Sequence, residues 1–171
     1  MKKIYVISVL LLSVFAFTGC TNDTNKISNT PANLREISGD IVTATLNDDG
    51  NIVIKEGDIT ENATYISYKY EEVIIGLLAV RDSTGFVQVV VNTCQSCGGS
   101  PYAYFVQVGN VIECQNCGNR FLIDELSSLE SLGCNPIAID DITRKDDQII
   151  IGTEELKELK EKFENWQGPK E

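Results

Sequence analysis

The sequence contains no histidine among its 171 residues, and it has only one methionine and one tryptophan. The missing imidazole excludes every site that depends on it: Ser-His-Asp and Cys-His catalysis, His-ligated zinc hydrolases and His-held haem. A true Rieske centre is excluded for the same reason, because histidines ligate one of its two irons. Any metal or redox chemistry in this chain must therefore use other donors.

Positive charge is scarce as well. The chain has 14 Lys and Arg residues against 25 Asp and Glu residues, which gives a formal net charge of −11. Nucleic-acid binding needs a basic surface, so no nucleic-acid partner is expected. The acidity instead indicates a soluble domain that stays off anionic lipid headgroups.

The first residues have the pattern of an export signal. A short basic stretch precedes an apolar run over residues 4–17 that is interrupted only by two serines. The run is shorter than the roughly 20 apolar residues of a membrane-spanning helix, and it is typical of the hydrophobic region of a signal peptide. The following Phe17-Thr18-Gly19-Cys20 resembles a bacterial lipobox. Residues 1–19 are therefore predicted to be a lipoprotein signal peptide.

Cleavage before Cys20 predicts that this cysteine carries the lipid. The protein would then be anchored by lipid to the cell membrane, on its extracytoplasmic face. The alternative is an uncleaved anchor in which Cys20 is incidental.

The rest of the chain divides into a tether and one folded domain. Residues 20–39 are rich in Asn, Thr and Ser, a composition that predicts a flexible tether. From residue 40, short β-branched runs alternate with turns, which predicts one mainly β domain over residues 40–167. One apolar face over residues 154–166 predicts a C-terminal helix with Thr153 as its N-cap. The predicted strands are 41–46, 52–54, 64–70, 73–80 (apolar throughout, hence covered on both faces), 86–92, 102–108, 111–113, 120–123, 137–139 and 148–151, with a short helix at 124–132.

Two CxxC motifs carry the chemistry. Cys94 and Cys97 form the first, Cys114 and Cys117 form the second, and each pair is followed by glycine. Such a pair makes a tight turn, or knuckle, in which two sulfurs point to one centre, and the glycine accepts the backbone conformation that the turn needs. A predicted hairpin turn at residues 109–110 brings the two knuckles together. Four thiolates can then surround one metal ion or iron–sulfur cluster.

A pair of disulfides is the alternative, which an oxidising extracytoplasmic setting permits. The five cysteines besides Cys20 are an odd number, which argues against complete pairing. The fifth, Cys134, lies in a Gly-Cys-Asn-Pro turn. It is a candidate additional ligand, and the alternative is an inert buried thiol.

The stretch from "VNTCQSCGGSPYAYF" through "IECQNCGNRFLIDEL" to "GCNPIAI" resembles the FtrD-like membrane iron–sulfur domain family. Upstream strands extend the resemblance to about residues 40–163. The resemblance implies an iron–sulfur or other metal centre on Cys94, Cys97, Cys114 and Cys117, with Cys134 associated. It further implies a role in bacterial iron uptake, with electron transfer beside an iron permease.

The second knuckle also resembles that of Rieske-type domains, with Cys117 where those have histidine. This resemblance implies a small Rieske-like β-sandwich, and a zinc-ribbon-like domain would share the same knuckle geometry. An all-thiolate site should have a lower reduction potential than a His-ligated one. The expected fold is therefore mainly β, with two CxxC knuckles and a C-terminal helix.

Two functions follow from these features. The preferred one is a membrane-anchored lipoprotein that binds an iron–sulfur cluster or another metal such as iron, and serves electron transfer or metal handling in iron uptake. Its expected partners are an iron permease or a redox protein. The alternative is a non-redox binding or scaffold lipoprotein whose knuckles hold structural zinc or disulfides, because four thiolates suit zinc and iron–sulfur centres equally. No residue is assigned a catalytic role, and a non-enzymatic protein is expected.

Overall fold

The computed structural model describes residues 34–129 and 133–170. The predicted signal peptide, Cys20 and most of the predicted tether lie outside the described residues. Within the described ranges the chain forms twelve strands and two short α-helices. The strands are β1 (Ile41–Thr43), β2 (Thr45–Leu46), β3 (Ile52–Lys55), β4 (Thr64–Tyr70), β5 (Val73–Arg81), β6 (Val87–Cys94), β7 (Phe105–Val108), β8 (Val111–Cys114), β9 (Arg120–Leu122), β10 (Pro136–Ile137), β11 (Ile142–Lys145) and β12 (Gln148–Ile151), and the helices are α1 (Glu154–Glu158) and α2 (Lys160–Phe163).

The strands form three sheets. The central sheet has five strands in the order β1-β4-β5-β6-β10, and all of its pairs are antiparallel except the parallel pair of β1 and β4. A four-stranded sheet has the order β11-β12-β3-β2, and a three-stranded sheet has the order β7-β8-β9. The prediction of a mainly β domain is confirmed.

Both faces of the central sheet are buried, because side chains along a strand alternate between its faces. On β5, Ile75 and Leu77 join a core shared with the four-stranded sheet and the helices. Leu78 and Val80 join a second core shared with the three-stranded sheet. The apolar pattern of residues 73–80 therefore predicted the two-sided burial correctly. The second core also contains Cys94 and Cys114, so the metal-ligand candidates lie at its margin.

The predicted strand 41–46 is divided between two sheets. β1 pairs with β4 of the central sheet, whereas β2 pairs with β3 of the four-stranded sheet. Ala44 lies between them, and its backbone N–H donates to the Ser67 carbonyl at 2.9 Å. The break occurs because a single extended run cannot stay hydrogen-bonded to both sheets.

Strand β11 is absent from the sequence-based prediction. Its side chains alternate between exposed and half-buried, so it lacks the apolar signal of a strand. The strand pairs with β12 across a turn in which Asp146 and Asp147 have φ angles of 53° and 61°. Two successive residues with positive φ are the geometry of a tight two-residue hairpin turn. The predicted Asp146-Asp147 turn is confirmed, and the turn itself implies the missing strand.

The two predicted helices are corrected. The predicted C-terminal helix is interrupted at Leu159, whose φ of −85° and ψ of 1° separate α1 from α2. Thr153 makes no side-chain cap bond; its hydroxyl instead donates to the Gly50 carbonyl at 3.2 Å. The predicted helix 124–132 is a 3-10 helix over Ile123–Ser128, and residues 130–132 lie outside the described part of the chain.

The C-terminal segment is held against the central sheet by a contact between Trp166 and Gly76 of β5. A Cβ atom at Gly76 would overlap the Trp166 ring. The ring also makes edge contacts with Phe163 and Tyr104, at centroid distances of 5.2 and 6.2 Å. Gly76 is therefore required by the close approach of an aromatic ring, and this contact fixes the end of the chain beside the first knuckle.

Gly76→Ala should lower the free energy of unfolding by about 1–3 kcal/mol, the typical cost of overpacking. Gly57→Ala is the matched control, because Gly57 is exposed and its added Cβ would meet only the Asp147 carboxylate at 3.3 Å. Denaturant unfolding followed by the fluorescence of the single tryptophan measures both. Equal stability of the two variants would contradict the packing of Trp166 on Gly76.

Candidate metal centre

The first knuckle begins where β6 ends. Cys94 is fully buried, and its backbone N–H donates to the Ala103 carbonyl at 3.1 Å. The backbone N–H of Cys97 hydrogen-bonds to the Cys94 sulfur. The turn is completed by a hydrogen bond from the Ser100 N–H to the Cys97 carbonyl at 3.0 Å. Gly99 has a φ of 92°, a conformation that favours glycine.

The second knuckle begins where β8 ends. The Cys114 side chain is buried, whereas Cys117 is exposed. The Gly118 N–H donates to the Cys114 carbonyl at 2.8 Å, with a φ of 75° at Gly118. The backbone N–H of Asn119 hydrogen-bonds to the Cys117 sulfur. Both knuckles therefore direct backbone donors at their sulfurs, an arrangement that stabilises thiolates.

The fold brings the two knuckles together as the sequence predicts. The sulfurs of Cys94, Cys97, Cys114 and Cys117 all lie within 4.8 Å of one another. The β7–β8 hairpin pairs Phe105 with Cys114. The hairpin in turn is joined to the central sheet by the Phe105 N–H, which donates to the Asn92 side-chain oxygen at 2.8 Å.

Asn92 is thus a site-building residue that sequence reasoning missed. It is fully buried two positions before Cys94. The sequence signal that could have identified it is an amide side chain within the apolar run of β6. A buried amide usually makes a structural hydrogen bond.

The four sulfurs fit a metal ion by donor type and by spacing. Four thiolates are a typical ligand set for zinc and for iron–sulfur centres. A metal–sulfur bond of about 2.3 Å puts four tetrahedral sulfurs about 3.8 Å apart. The observed upper limit of 4.8 Å is close to that spacing. The arrangement therefore fits one ion held by Cys94, Cys97, Cys114 and Cys117.

Without a metal, the surroundings raise the pKa of three of the four clustered cysteines. The contact with Cys114, followed by burial, raises the pKa of Cys94 far above its usual range. Burial raises the pKa of Cys97, and it raises the pKa of Cys117 to about 11. A metal that binds here must therefore displace protons, as is usual for thiolate sites.

Cys134 lies beside the site but outside the four-sulfur group. Its carbonyl accepts a hydrogen bond from the Cys94 sulfur at 3.2 Å. The Ser96 hydroxyl donates to the Gly133 carbonyl at 2.6 Å, and the Gln95 N–H donates to the Asn135 carbonyl at 3.0 Å. The Gly-Cys-Asn-Pro turn therefore returns to the first knuckle and supports it through backbone atoms. A ligand role for the Cys134 sulfur stays a prediction.

Helix α2 also supports the first knuckle, a contact that sequence reasoning missed. The Lys162 ammonium donates to the Gln95 carbonyl at 3.2 Å, and the Lys162 carbonyl accepts from the Gly99 N–H at 3.1 Å. The Lys162 stem covers Gly98, where an added Cβ would lie 3.0 Å from it. A cationic group thus lies against the loop that carries two of the four sulfurs.

The second knuckle is held by the end of the predicted tether. The Arg35 N–H donates to the buried side-chain oxygen of Gln115 at 2.8 Å. The Arg35 guanidinium pairs with Glu113 at 2.7 Å, and Arg120 pairs with the same carboxylate at 2.6 Å. Hydrogen bonding from Arg35, and then from Arg120, outweighs burial and lowers the pKa of Glu113. The last residues of the predicted tether are therefore bound to the fold.

Fold and site together define the class of this protein: a mainly β domain with a four-cysteine site that could hold a metal. Residues 59–163, more than half of the chain, match the family described as "Membrane iron-sulfur containing protein FtrD-like". The chain belongs to this FtrD-like family. The match includes all four clustered cysteines and Cys134, and the family description indicates a membrane-associated iron–sulfur protein.

No curated protein and no solved structure matches the chain. In the described residues, no helix has the length and apolar character that crossing a membrane requires.

Substitution of Cys134 and of Cys117 should have different effects on metal binding. We expect Cys134→Ser to retain the metal content and spectrum of the wild type, because its contact with the site uses the backbone carbonyl. Cys117→Ser should weaken binding by more than the roughly 10–100-fold that loss of an outer supporting residue costs. Metal analysis of anaerobically purified variants measures this. Loss of metal from the Cys134→Ser variant would contradict this expectation and show that Cys134 is a ligand.

Proposed function

We propose that this protein is a lipid-anchored iron protein that exchanges single electrons through its four-cysteine centre, in support of iron uptake. The observation that carries the proposal is the packing of four sulfurs within 4.8 Å at one end of the domain. Membership of the FtrD-like family supports iron as the metal. When bound, iron would supply a one-electron change between its ferrous and ferric states.

The spacing of the sulfurs favours a single iron ion over a multi-iron cluster. A cluster places several irons and inorganic sulfides between the cysteine ligands, so its ligands must be further apart than those of one ion. All four sulfurs lie within 4.8 Å of one another, an upper limit about 1 Å above the spacing around one tetrahedral ion. A single iron held by four cysteine sulfurs is still an iron–sulfur centre, so this proposal is consistent with the family description.

The protein's own residues would shape the centre in two ways. Backbone N–H groups of Cys97 and Asn119 donate to sulfurs and so stabilise the thiolates. Burial of Cys94 and Cys114 against the second core keeps water away from one side of the site. Hydrogen bonds to the sulfurs and limited solvent access both set the potential of a thiolate-bound iron.

Cys117 is the most exposed of the four clustered cysteines, so it is the one that a partner protein could approach. It is exposed, together with the neighbouring residues Asn116, Gly118, Asn119 and Arg120. No acidic residue lies between positions 114 and 123, although the chain as a whole has a net charge of −11. We infer that a redox protein or iron permease approaches this surface, because it exposes Cys117 and lacks the acidic side chains that would repel an acidic partner.

Anaerobic purification of the full chain in detergent tests the metal. We expect about one iron per protein, no acid-labile sulfide, and a visible spectrum that bleaches reversibly on one-electron reduction. Detection of acid-labile sulfide would show that the centre is a cluster and not a single iron. Stoichiometric zinc without visible absorbance would overturn the redox function and leave the structural-zinc scaffold, which the four soft donors also permit.

The lipid anchor is tested separately. Cys20→Ala should move the protein from the membrane fraction to the soluble fraction, because the acyl group on Cys20 is the proposed attachment. Wild-type protein partitioned into detergent is the control. Continued membrane association of Cys20→Ala would favour the uncleaved anchor over the lipoprotein.

A further inference from the structure

A chain of hydrogen bonds connects the two knuckles across the open side of the site. The Ser100 hydroxyl, just after the first knuckle, donates to the Asn116 side-chain oxygen at 2.6 Å. The Asn116 side chain, in the second knuckle, hydrogen-bonds to the sulfur of Cys97 in the first. We propose that Asn116 is a positioning residue that locks the two knuckles together and tunes the metal centre through Cys97.

The orientation of the Asn116 amide follows from its neighbours. The Ser100 hydroxyl oxygen accepts the Tyr102 backbone N–H at 3.3 Å, so its own hydrogen is directed to the Asn116 oxygen. With its oxygen engaged, the Asn116 amide has only its NH₂ group left to offer to the Cys97 sulfur. Ser100 is fixed in turn by its backbone N–H, which donates to the Cys97 carbonyl at 3.0 Å.

Two consequences follow for a bound metal. The hydrogen bonds of Asn116 hold sulfurs from separate knuckles together before the metal arrives. This lowers the entropic cost of ordering the site on metal binding. The amide also withdraws charge from the Cys97 thiolate, and hydrogen bonds to ligating sulfurs are among the factors that set the potential of a thiolate-bound iron. Asn116 therefore strengthens metal binding and raises the reduction potential.

This inference rests on the proposed metal centre but not on the identity of the ion. Cobalt(II) can therefore serve as the probe, since it binds four thiolates and gives a thiolate-to-metal charge-transfer band. The tested variants are Asn116→Leu, which keeps the size of the side chain but removes its donor, and Ser100→Ala, which frees the amide to rotate. Both residues' side-chain contacts lie at the exposed surface, so folding should be retained and is checked by circular dichroism.

The chain offers two matched controls. Asn62→Leu makes the same change at an exposed position outside both knuckles, where the backbone of Asn62 hydrogen-bonds with the Thr60 hydroxyl. Ser100→Thr keeps the hydroxyl and should restore the wild-type behaviour that Ser100→Ala loses.

Asn116→Leu should weaken cobalt(II) binding by about 10–100-fold, the typical effect of losing an outer hydrogen bond to a ligand. Its charge-transfer band should shift, and the iron-loaded variant should have a more negative reduction potential. Ser100→Ala should shift all three quantities in the same direction by less, while Asn62→Leu and Ser100→Thr stay at wild-type values.

Several results would overturn the inference. Wild-type affinity in Asn116→Leu would show that Asn116 plays no part in metal binding, and an equal loss in Asn62→Leu would assign the effect to an exposed leucine in general. Weaker binding with an unchanged band and potential would disprove the tuning role. Failure of the wild type itself to bind cobalt(II) or iron would instead disprove the metal centre, so the two proposals fail by different results.

Discussion

The site depends on the contact between two sheets. The first knuckle ends a strand of the central sheet, and the second ends a strand of the three-stranded sheet. They meet because the second core packs these sheets together, and because Asn92 hydrogen-bonds to the Phe105 N–H across the junction. Without that junction each knuckle supplies only two thiolates, and two thiolates do not complete a tetrahedral site. Metal binding therefore depends on the packing of the second core between the two sheets.

Each knuckle is also held by a cationic residue from one end of the described chain. Lys162 from the C-terminal helix donates to the Gln95 carbonyl of the first knuckle, and Arg35 binds Gln115 of the second. Four thiolates around one divalent or trivalent ion leave net negative charge, so nearby cations favour the site. In a chain with a net charge of −11, the Lys162 ammonium lies beside the first knuckle, whereas Arg35 contacts the second through its backbone and its guanidinium pairs with Glu113.

Local residue preferences made parts of the fold predictable. Strands 64–70 and 148–151 have the predicted bounds, because both are rich in β-branched or aromatic residues and each adjoins a turn. The break at Ala44 was not predictable, because the residues on both sides favour a strand and the choice of sheet is a long-range matter. Thr153 has the residue type of an N-cap, but a tertiary bond to Gly50 engages its hydroxyl instead. Local propensity is weak against such contacts.

The sequence by itself determined the donor set: an all-sulfur site without imidazole, in two turns whose spacing within CxxC depends only on neighbouring residues. Tertiary structure decided which sulfur reaches the surface, how Asn116 bridges the knuckles, and that Cys134 meets the site through its carbonyl. The physical reason is the sequence separation between the residues that make contact. A knuckle forms within four residues, whereas the contacts of Arg35 and Lys162 with the knuckles span 80 and 67 residues, and no local pattern encodes such distances.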